Sequence, residues 1–242
     1  MLTHVDDYLD RLRAAIDGLP RERLNQLAQT LLGAYRNDKQ VFTISNGGSS
    51  STASHLAADL SKNTSGANMR RFRITSLNDN AAIVTALAND LGYEHVFVEQ
   101  LINMIRAGDV LIAVSASGNS PNIVNAIRYA QEQSAHVAAL LGFDGGLAAE
   151  LADNAIIVPS NDFGIVEDLH LAINHILVEY FREYLANAQT WVAQSAAAER
   201  RAGARAGASP AASASKPAAT ACLPAAGCRA GRCSVGAPAS RV

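Results

Sequence analysis

Residues 1–200 contain no cysteine; the chain's three, Cys222, Cys228 and Cys233, all fall in its last 42 residues. A disulfide framework and a catalytic thiolate are thereby excluded from most of the chain, and the three cysteines, with no histidine near them, make a poor zinc signature. Long hydrophobic runs are also missing. No stretch of 18 apolar residues occurs, which excludes a helical membrane span, and the opening MLTHVDDYLDRLRAA is acidic where a secretory signal is basic and then apolar. A cytoplasmic protein with no membrane partner is expected. Positive charge is scarce as well: residues 1–200 carry 14 Lys and Arg against 22 Asp and Glu, a net of −8, so direct nucleic-acid binding is not expected.

What the chain does have is enough apolar sequence, 49% of 242 residues, for a sizeable core. Its composition changes near Ala196. Beyond that point come four of the seven prolines and no aromatic residue, and the last 42 residues hold six basic residues and no acidic one. One domain over residues 1–197, followed by a low-complexity basic tail over 198–242 that is expected to be disordered, is the resulting division.

Leu9, Leu12 and Ile16, then Leu24, Leu27, Leu31 and Leu32, recur at three- and four-residue spacing and predict two amphipathic helices, 5–16 and 22–35, separated by Pro20. That pair must cover either the domain's own sheet or another subunit. Short apolar runs at 41–45, 72–76, 110–116, 136–143 and 154–160 read as buried strands. Between them lie helical stretches at 50–62, 80–88 with 92–104, 120–133 and 146–151, and a long one at 164–187 closes the domain. Alternation of this kind predicts an α/β three-layer fold around a mostly parallel five-stranded sheet, whose strand-end loops gather along one edge.

Two of those loops are rich in hydroxyls. Ser45-Asn46-Gly47-Gly48-Ser49 leads from a strand into a helix, where paired glycines and helix-start amides form an anion cradle; without a lysine and outside the GxGxxG pattern, it implies neither a nucleoside triphosphate nor a dinucleotide. Ser115-Ala116-Ser117-Gly118-Asn119-Ser120-Pro121 follows another strand, with Ser120 placed to cap a helix opened by Pro121. Together they suggest one phosphate carrying a polyhydroxylated body. Asp79 and Asn80, beside a strand end, suit contacts to sugar hydroxyls and suit turn formation equally well.

His55 and Asp59 share a helix face four residues apart, while Glu167 and His175, eight apart on the last helix, share a face to within about 80°. Two histidines and two carboxylates drawn from two helices suit a metal site or an acid/base pair. His170, set among Leu169, Leu171 and Ile173, reads as a packing residue.

In combination, Asn46-Gly47-Gly48-Ser49 with His55, Asn89-Asp90-x-Gly92-Tyr93, Ser115-x-Ser117-Gly118-x-Ser120-Pro121-Asn122 and the Glu167-to-His175 helix resemble the sugar isomerase (SIS) fold and, within it, the phosphoheptose isomerases. The resemblance covers about residues 1–190. It implies a homotetramer with interface active sites that converts the ketose sedoheptulose 7-phosphate into the aldose D-glycero-D-manno-heptose 7-phosphate. It also implies substrate binding by Asn46, Gly47, Gly48, Ser49, Asp79, Asn80, Ser115, Ala116, Ser117, Ser120 and Glu167, zinc held by His55, Asp59, Glu167 and His175, and catalysis by Asp59, Glu167 and His175. Three positions depart from the family's habit: Asp59 replaces Glu, Glu167 replaces Gln and Asn80 replaces Asp. A carboxylate one methylene shorter shifts its oxygens by about an ångström, a displacement that proton transfer feels. Another sugar phosphate, or a non-catalytic relative that binds the replication initiator, are the competing implications.

Overall fold

The computed structural model describes the backbone of residues 2–64 and 70–206 and the side chains of residues 3–64 and 70–187. The chain divides into two units, Met1–Ala197 and Ala198–Val242. In the first, α1 (Leu2–Asp17) and α2 (Arg21–Arg36) precede β1 (Gln40–Ser45), α3 (Gly47–Lys62), β2 (Arg73–Ser76), α4 (Ala81–Leu91), a single 3₁₀ turn (Tyr93–His95), α5 (Val98–Met104), β3 (Val110–Ser115), α6 (Pro121–Glu132), β4 (His136–Leu141), α7 (Gly146–Leu151) and β5 (Asn154–Ile157). The last helix, α8, spans Phe163–Ala206.

All five strands pair in parallel in the order β2-β1-β3-β4-β5. Side-chain alternation sends Val41, Val110, Ile112, Val114 and Leu140 to one face, where they meet Leu27 and Leu31 of α2, Leu56 and Leu60 of α3, and Ile173, Leu177 and Phe181 of α8. Phe42, Ile44, Leu111, Val137 and Leu141 point the other way, onto Leu101 of α5, Ile123 and Ile127 of α6, and Ala148 of α7. Each such fully buried side chain contributes about 1.5–3 kcal/mol, so both layers are held by burial rather than by ion pairs.

The topology locates a crevice. After β1 the chain turns onto the first face through α3, and after neighbouring β3 it turns onto the opposite face through α6, so the carboxyl ends of β1 and β3 lie where the winding reverses. Doubly wound sheets bind ligands at such a point.

Most element boundaries differ from those expected by one to three residues, β4 and β5 for instance ending at Leu141 and Ile157 rather than at 143 and 160, and two differences have a local cause. The predicted start of α3 at residue 50 moves to Gly47: Gly47, at φ +55°, makes the left-handed turn out of β1 that only glycine adopts readily, and the helix runs on from Gly48. The predicted end of α8 at 187 moves to Ala206, into residues 198–206 that were expected to be disordered: residues 188–206 are dominated by Ala, Gln, Arg and Glu and contain no proline, a composition that favours helix. The expectations for residues 207–242 lie outside the described residues.

The two N-terminal helices behave differently. α2 covers the sheet, whereas α1 packs Ala15, Leu12 and Tyr8 against Ile165 and Leu169 of α8 and leaves Val5, Leu9 and Ile16 40–47% exposed. Among the described residues, no helix is long and apolar enough to cross a membrane.

Candidate functional site

At the switch point the two hydroxyl-rich loops enclose a cavity of about 250 Å³. Asn46, Gly47, Gly48, Ser49, Ser115, Ala116, Ser117, Ser120 and Glu167 all line it, together with Phe163 at the start of α8. The loops are tied to each other by a reciprocal amide pair: Asn46 Nδ2 donates to Asn122 Oδ1 at 2.9 Å, and Asn122 Nδ2 donates back to Asn46 Oδ1 at 2.8 Å. The Tyr93 hydroxyl donates to the same Asn46 oxygen at 2.9 Å. Asn78 fixes the end of β1 from the other side, accepting from the Ser45 amide at 3.1 Å and donating to the Ser45 carbonyl at 2.7 Å.

Because Asn46 is committed to Asn122, it makes no capping bond to α3, and the expected cap by Ser120 is likewise absent from α6. The amides of the first turn of α3 therefore face a ligand uncapped, which is the arrangement that binds anions. At α6 the position after the cap is Pro121, which has no N–H, so that side of the cavity offers hydroxyls rather than amides. Ser115 is partly committed, its Oγ accepting from the Gly118 amide at 3.1 Å. Gly118 sits at φ +64°, and a Cβ there would come within 1.9 Å of the Gly145 carbonyl oxygen, so only glycine lets the two strand-end loops pack together.

Glu167 reaches across the first turn of α3. Its Oε1 accepts from Ser49 Oγ at 3.0 Å, and a Cβ built on Gly48 would lie 2.9 and 3.1 Å from its two oxygens. Asp79 and Asn80 line a separate cavity of about 540 Å³. There Asp79 Oδ1 accepts from Ser54 Oγ at 2.5 Å, and Asn80 caps α4 by accepting from the Ile83 amide at 3.2 Å.

Further along α3 and α8, His55, Asp59 and His175 converge, with one ligand atom from each lying within 4.8 Å of the others. His55 Nε2 stands 3.1 Å from Asp59 Oδ2, and the two imidazoles meet edge to face with ring centres 5.2 Å apart. Asp59 Oδ1 accepts from Asn63 Nδ2 at 2.8 Å, which leaves Oδ2 to face His55. This donor set of two imidazoles and a carboxylate suits a divalent metal with an open coordination position. Glu167 lies outside the group: eight residues of helix separate it from His175 by about 12 Å of rise and about 80° of rotation.

His170 is fully buried one turn beyond Glu167, with its Nε2 3.1 Å from the Leu141 carbonyl oxygen. A carbonyl only accepts, so Nε2 carries the proton and Nδ1 is bare, without a hydrogen-bond partner among the described residues. Burial pushes this imidazole down to about 4, against the smaller opposing pull of the Leu141 carbonyl.

Sequence reasoning did not list Asn122, Tyr93, Asn78 or Phe163 as site residues. Asn122 and Tyr93 stood in the quoted motifs, but amides and phenols form turns and caps so often that only the three-dimensional pairing with Asn46 reveals their role. Asn78 adjoined two predicted residues and differed from them by no local signal.

The pattern that defines the SIS domain matches residues 6–142. The phosphoheptose isomerase of Pelobacter propionicus is 34% identical over 195 residues, covering 76% of this chain and 99% of its own, and that of Helicobacter pylori is 35% identical over 182 residues, covering 74% and 93%. Among solved structures, phosphoheptose isomerase from Neisseria gonorrhoeae superposes with a TM-score of 0.67 at 31% identity over 75% of this chain and 96% of that one.

Proposed function

Since this chain belongs to the phosphoheptose isomerases of the SIS-domain family, we propose that it interconverts sedoheptulose 7-phosphate and D-glycero-D-manno-heptose 7-phosphate. What supports this reading is that the turn read as an anion cradle and the His55, Asp59 and His175 side chains read as an acid/base cluster lie along one pair of helices. Ser49 meets Glu167 and His55 meets His175, so α3 and α8 run side by side in the same sense. From the first contact to the second α3 climbs about 9 Å and α8 about 12 Å. In an open-chain heptulose 7-phosphate, roughly seven bonds at about 1.2 Å each separate phosphorus from the carbonyl carbon, a reach of about 8–9 Å. A triose phosphate spans roughly three bonds and about 4 Å, so the separation supports a long-chain sugar.

The phosphate belongs to the first turn of α3 and the hydroxyls of Ser117 and Ser120, with the sugar extended toward His55. The reaction removes a proton from C1 of the ketose and protonates the C2 oxygen to give a cis-enediol. A proton then returns to C2 and the O1 proton leaves, forming the aldehyde, and no redox partner is consumed. We assign these transfers to His175 with Asp59 as its carboxylate partner, Asn63 holding Asp59 Oδ1 while Oδ2 stands against His55 and the three side chains keep a ligand atom each within 4.8 Å of one another. His55, Asp59 and His175 are also the residues that would hold zinc, one ion per subunit. When bound, zinc supplies Lewis-acid polarisation of the carbonyl and hydroxyl oxygens. A liganded side chain is a weaker base, so the two duties separate on chelation: exchange that persists without metal belongs to the side chains. A homotetramer is part of the same reading, with the exposed apolar stripe of α1 as its contact. The activity is assigned to residues 1–197.

The deciding experiment incubates purified, metal-analysed protein with sedoheptulose 7-phosphate in deuterated water and follows product and label by NMR, with fructose 6-phosphate as the comparison. Aldoheptose phosphate labelled at C2, formed in preference to hexose product, is the expected result. Absence of both product and exchange, with and without added zinc, would overturn the assignment.

A further inference from the structure

The cavity assigned to the substrate's phosphate already contains an anionic group of the protein. Both oxygens of Glu167 lie over Gly48, and Ser49 Oγ donates to one of them at 3.0 Å. These are the groups that an incoming phosphate meets at the start of α3, where the helix dipole and the uncapped amides attract negative charge. Glu167 is half-buried and lines the same cavity as Ser117 and Ser120, so a phosphate cannot take up the cradle while the carboxylate stays there.

We propose that Glu167 is a resident anion of the phosphate cradle, which the substrate's phosphate must displace and which lowers the protein's affinity for phosphate monoesters and free phosphate alike. This rests on the reading of the cavity as the phosphate site and adds a residue that tunes it. Two physical effects act together. In the ligand-free protein the carboxylate satisfies the Ser49 hydroxyl and compensates the dipole of α3, so the cradle is stable when empty of substrate. On binding, a negative charge a few ångströms from the phosphate weakens its attraction, since like charges are poorly screened in a cavity of this size. The site therefore holds its substrate loosely and releases phosphorylated product readily.

The test uses the full chain at one fixed pH and ionic strength, with inorganic phosphate as the probe and titration calorimetry as the readout. Glu167→Gln preserves the shape of the side chain and its ability to accept from Ser49 while removing the charge. It is expected to bind phosphate roughly tenfold more tightly than the unmodified protein, and to gain a correspondingly larger rise in melting temperature when phosphate is added. Glu179→Gln removes a charge from the same helix at an exposed position paired with Arg182, and is expected to leave phosphate affinity unchanged. Equal or weaker binding by Glu167→Gln, in a protein that melts cooperatively, would overturn the proposal. Equal tightening by Glu179→Gln would overturn it too, because net charge alone would then account for the gain. Failure of every form to bind phosphate would refute the cavity's assignment as well. Binding by the unmodified protein with no gain in Glu167→Gln would refute only the role of Glu167.

Discussion

Asp59 owes its aim to Asn63, whose side chain holds one carboxylate oxygen while its backbone amide donates to the Asp59 carbonyl at 2.7 Å. Groups that orient a metal ligand from behind typically govern its affinity by 10–100-fold. Asn63→Ala is therefore expected to weaken zinc binding at least tenfold in competition with a chelator, with little change in melting temperature because Asn63 is exposed. His175→Ala should abolish turnover and deuterium exchange while the protein elutes from a sizing column as before; full retained activity would remove His175 from the mechanism. His170 predicts a pH dependence of stability rather than of chemistry. Its imidazole titrates near 4 when folded and near 6.5 when unfolded, so the unfolded chain binds the extra proton between those values. The contribution is intact above pH 6.5, is lost progressively as pH falls toward 4, and amounts to about 3 kcal/mol across the window. Urea denaturation at pH 7 and pH 4.5 measures it, and His170→Gln should flatten the difference.

At the scale of elements, the start of α8 decides where Phe163 and Glu167 meet the cavity, and α1 clasps it. Asp162 Oδ1 accepts from the amides of Gly164 and Ile165, while its Oδ2 accepts from Arg11 of α1 at 2.6 Å. Arg11 first, then those amides, hold the Asp162 carboxyl below its usual range, and Tyr8 adds a bond to Asp168 at 2.7 Å. Asp162→Ala removes the cap together with its ion pair to Arg11, whereas Arg11→Ala leaves the cap and removes two largely exposed pairs, to Asp162 and Asp7. The expected order of melting temperatures is unmodified, Arg11→Ala, then Asp162→Ala, read by calorimetry. This clasp was not legible in the sequence, since nothing local distinguishes Asp162 from its neighbour Asn161. The helices themselves were legible, because Leu24, Leu27, Leu31 and Leu32 keep a period that only one conformation satisfies. Spacing also paired His55 with Asp59 correctly, four residues being one turn. It did not separate Glu167 from His175, because eight residues approach one face without reaching one place, and neighbouring helices decide which partner each side chain meets.

For the molecule as a whole, the five apolar runs between helices were enough to predict a parallel sheet, since continuous burial on both faces leaves no polar alternation. The strand order was not written in any run. It follows from how α3 and α6 choose opposite faces, and that choice creates the crevice. Val5, Leu9 and Ile16 on α1 remain open to water in the single chain. If they form the contact of the proposed homotetramer, Leu9→Asp should shift the mass measured by light scattering from tetramer toward smaller species, with the fold retained by circular dichroism. The link between the two windings of the sheet, Asn46 paired with Asn122, also bears on how the protein ages. Asn46-Gly47 is the chain's one Asn-Gly sequence, the kind most prone to slow loss of the side-chain amide when the following nitrogen can swing onto it. Held from both sides by Asn122 and Tyr93, with Gly47 fixed in a helical turn, that side chain is denied the swing, so the bonds that order the cradle also preserve its chemical identity over the protein's lifetime.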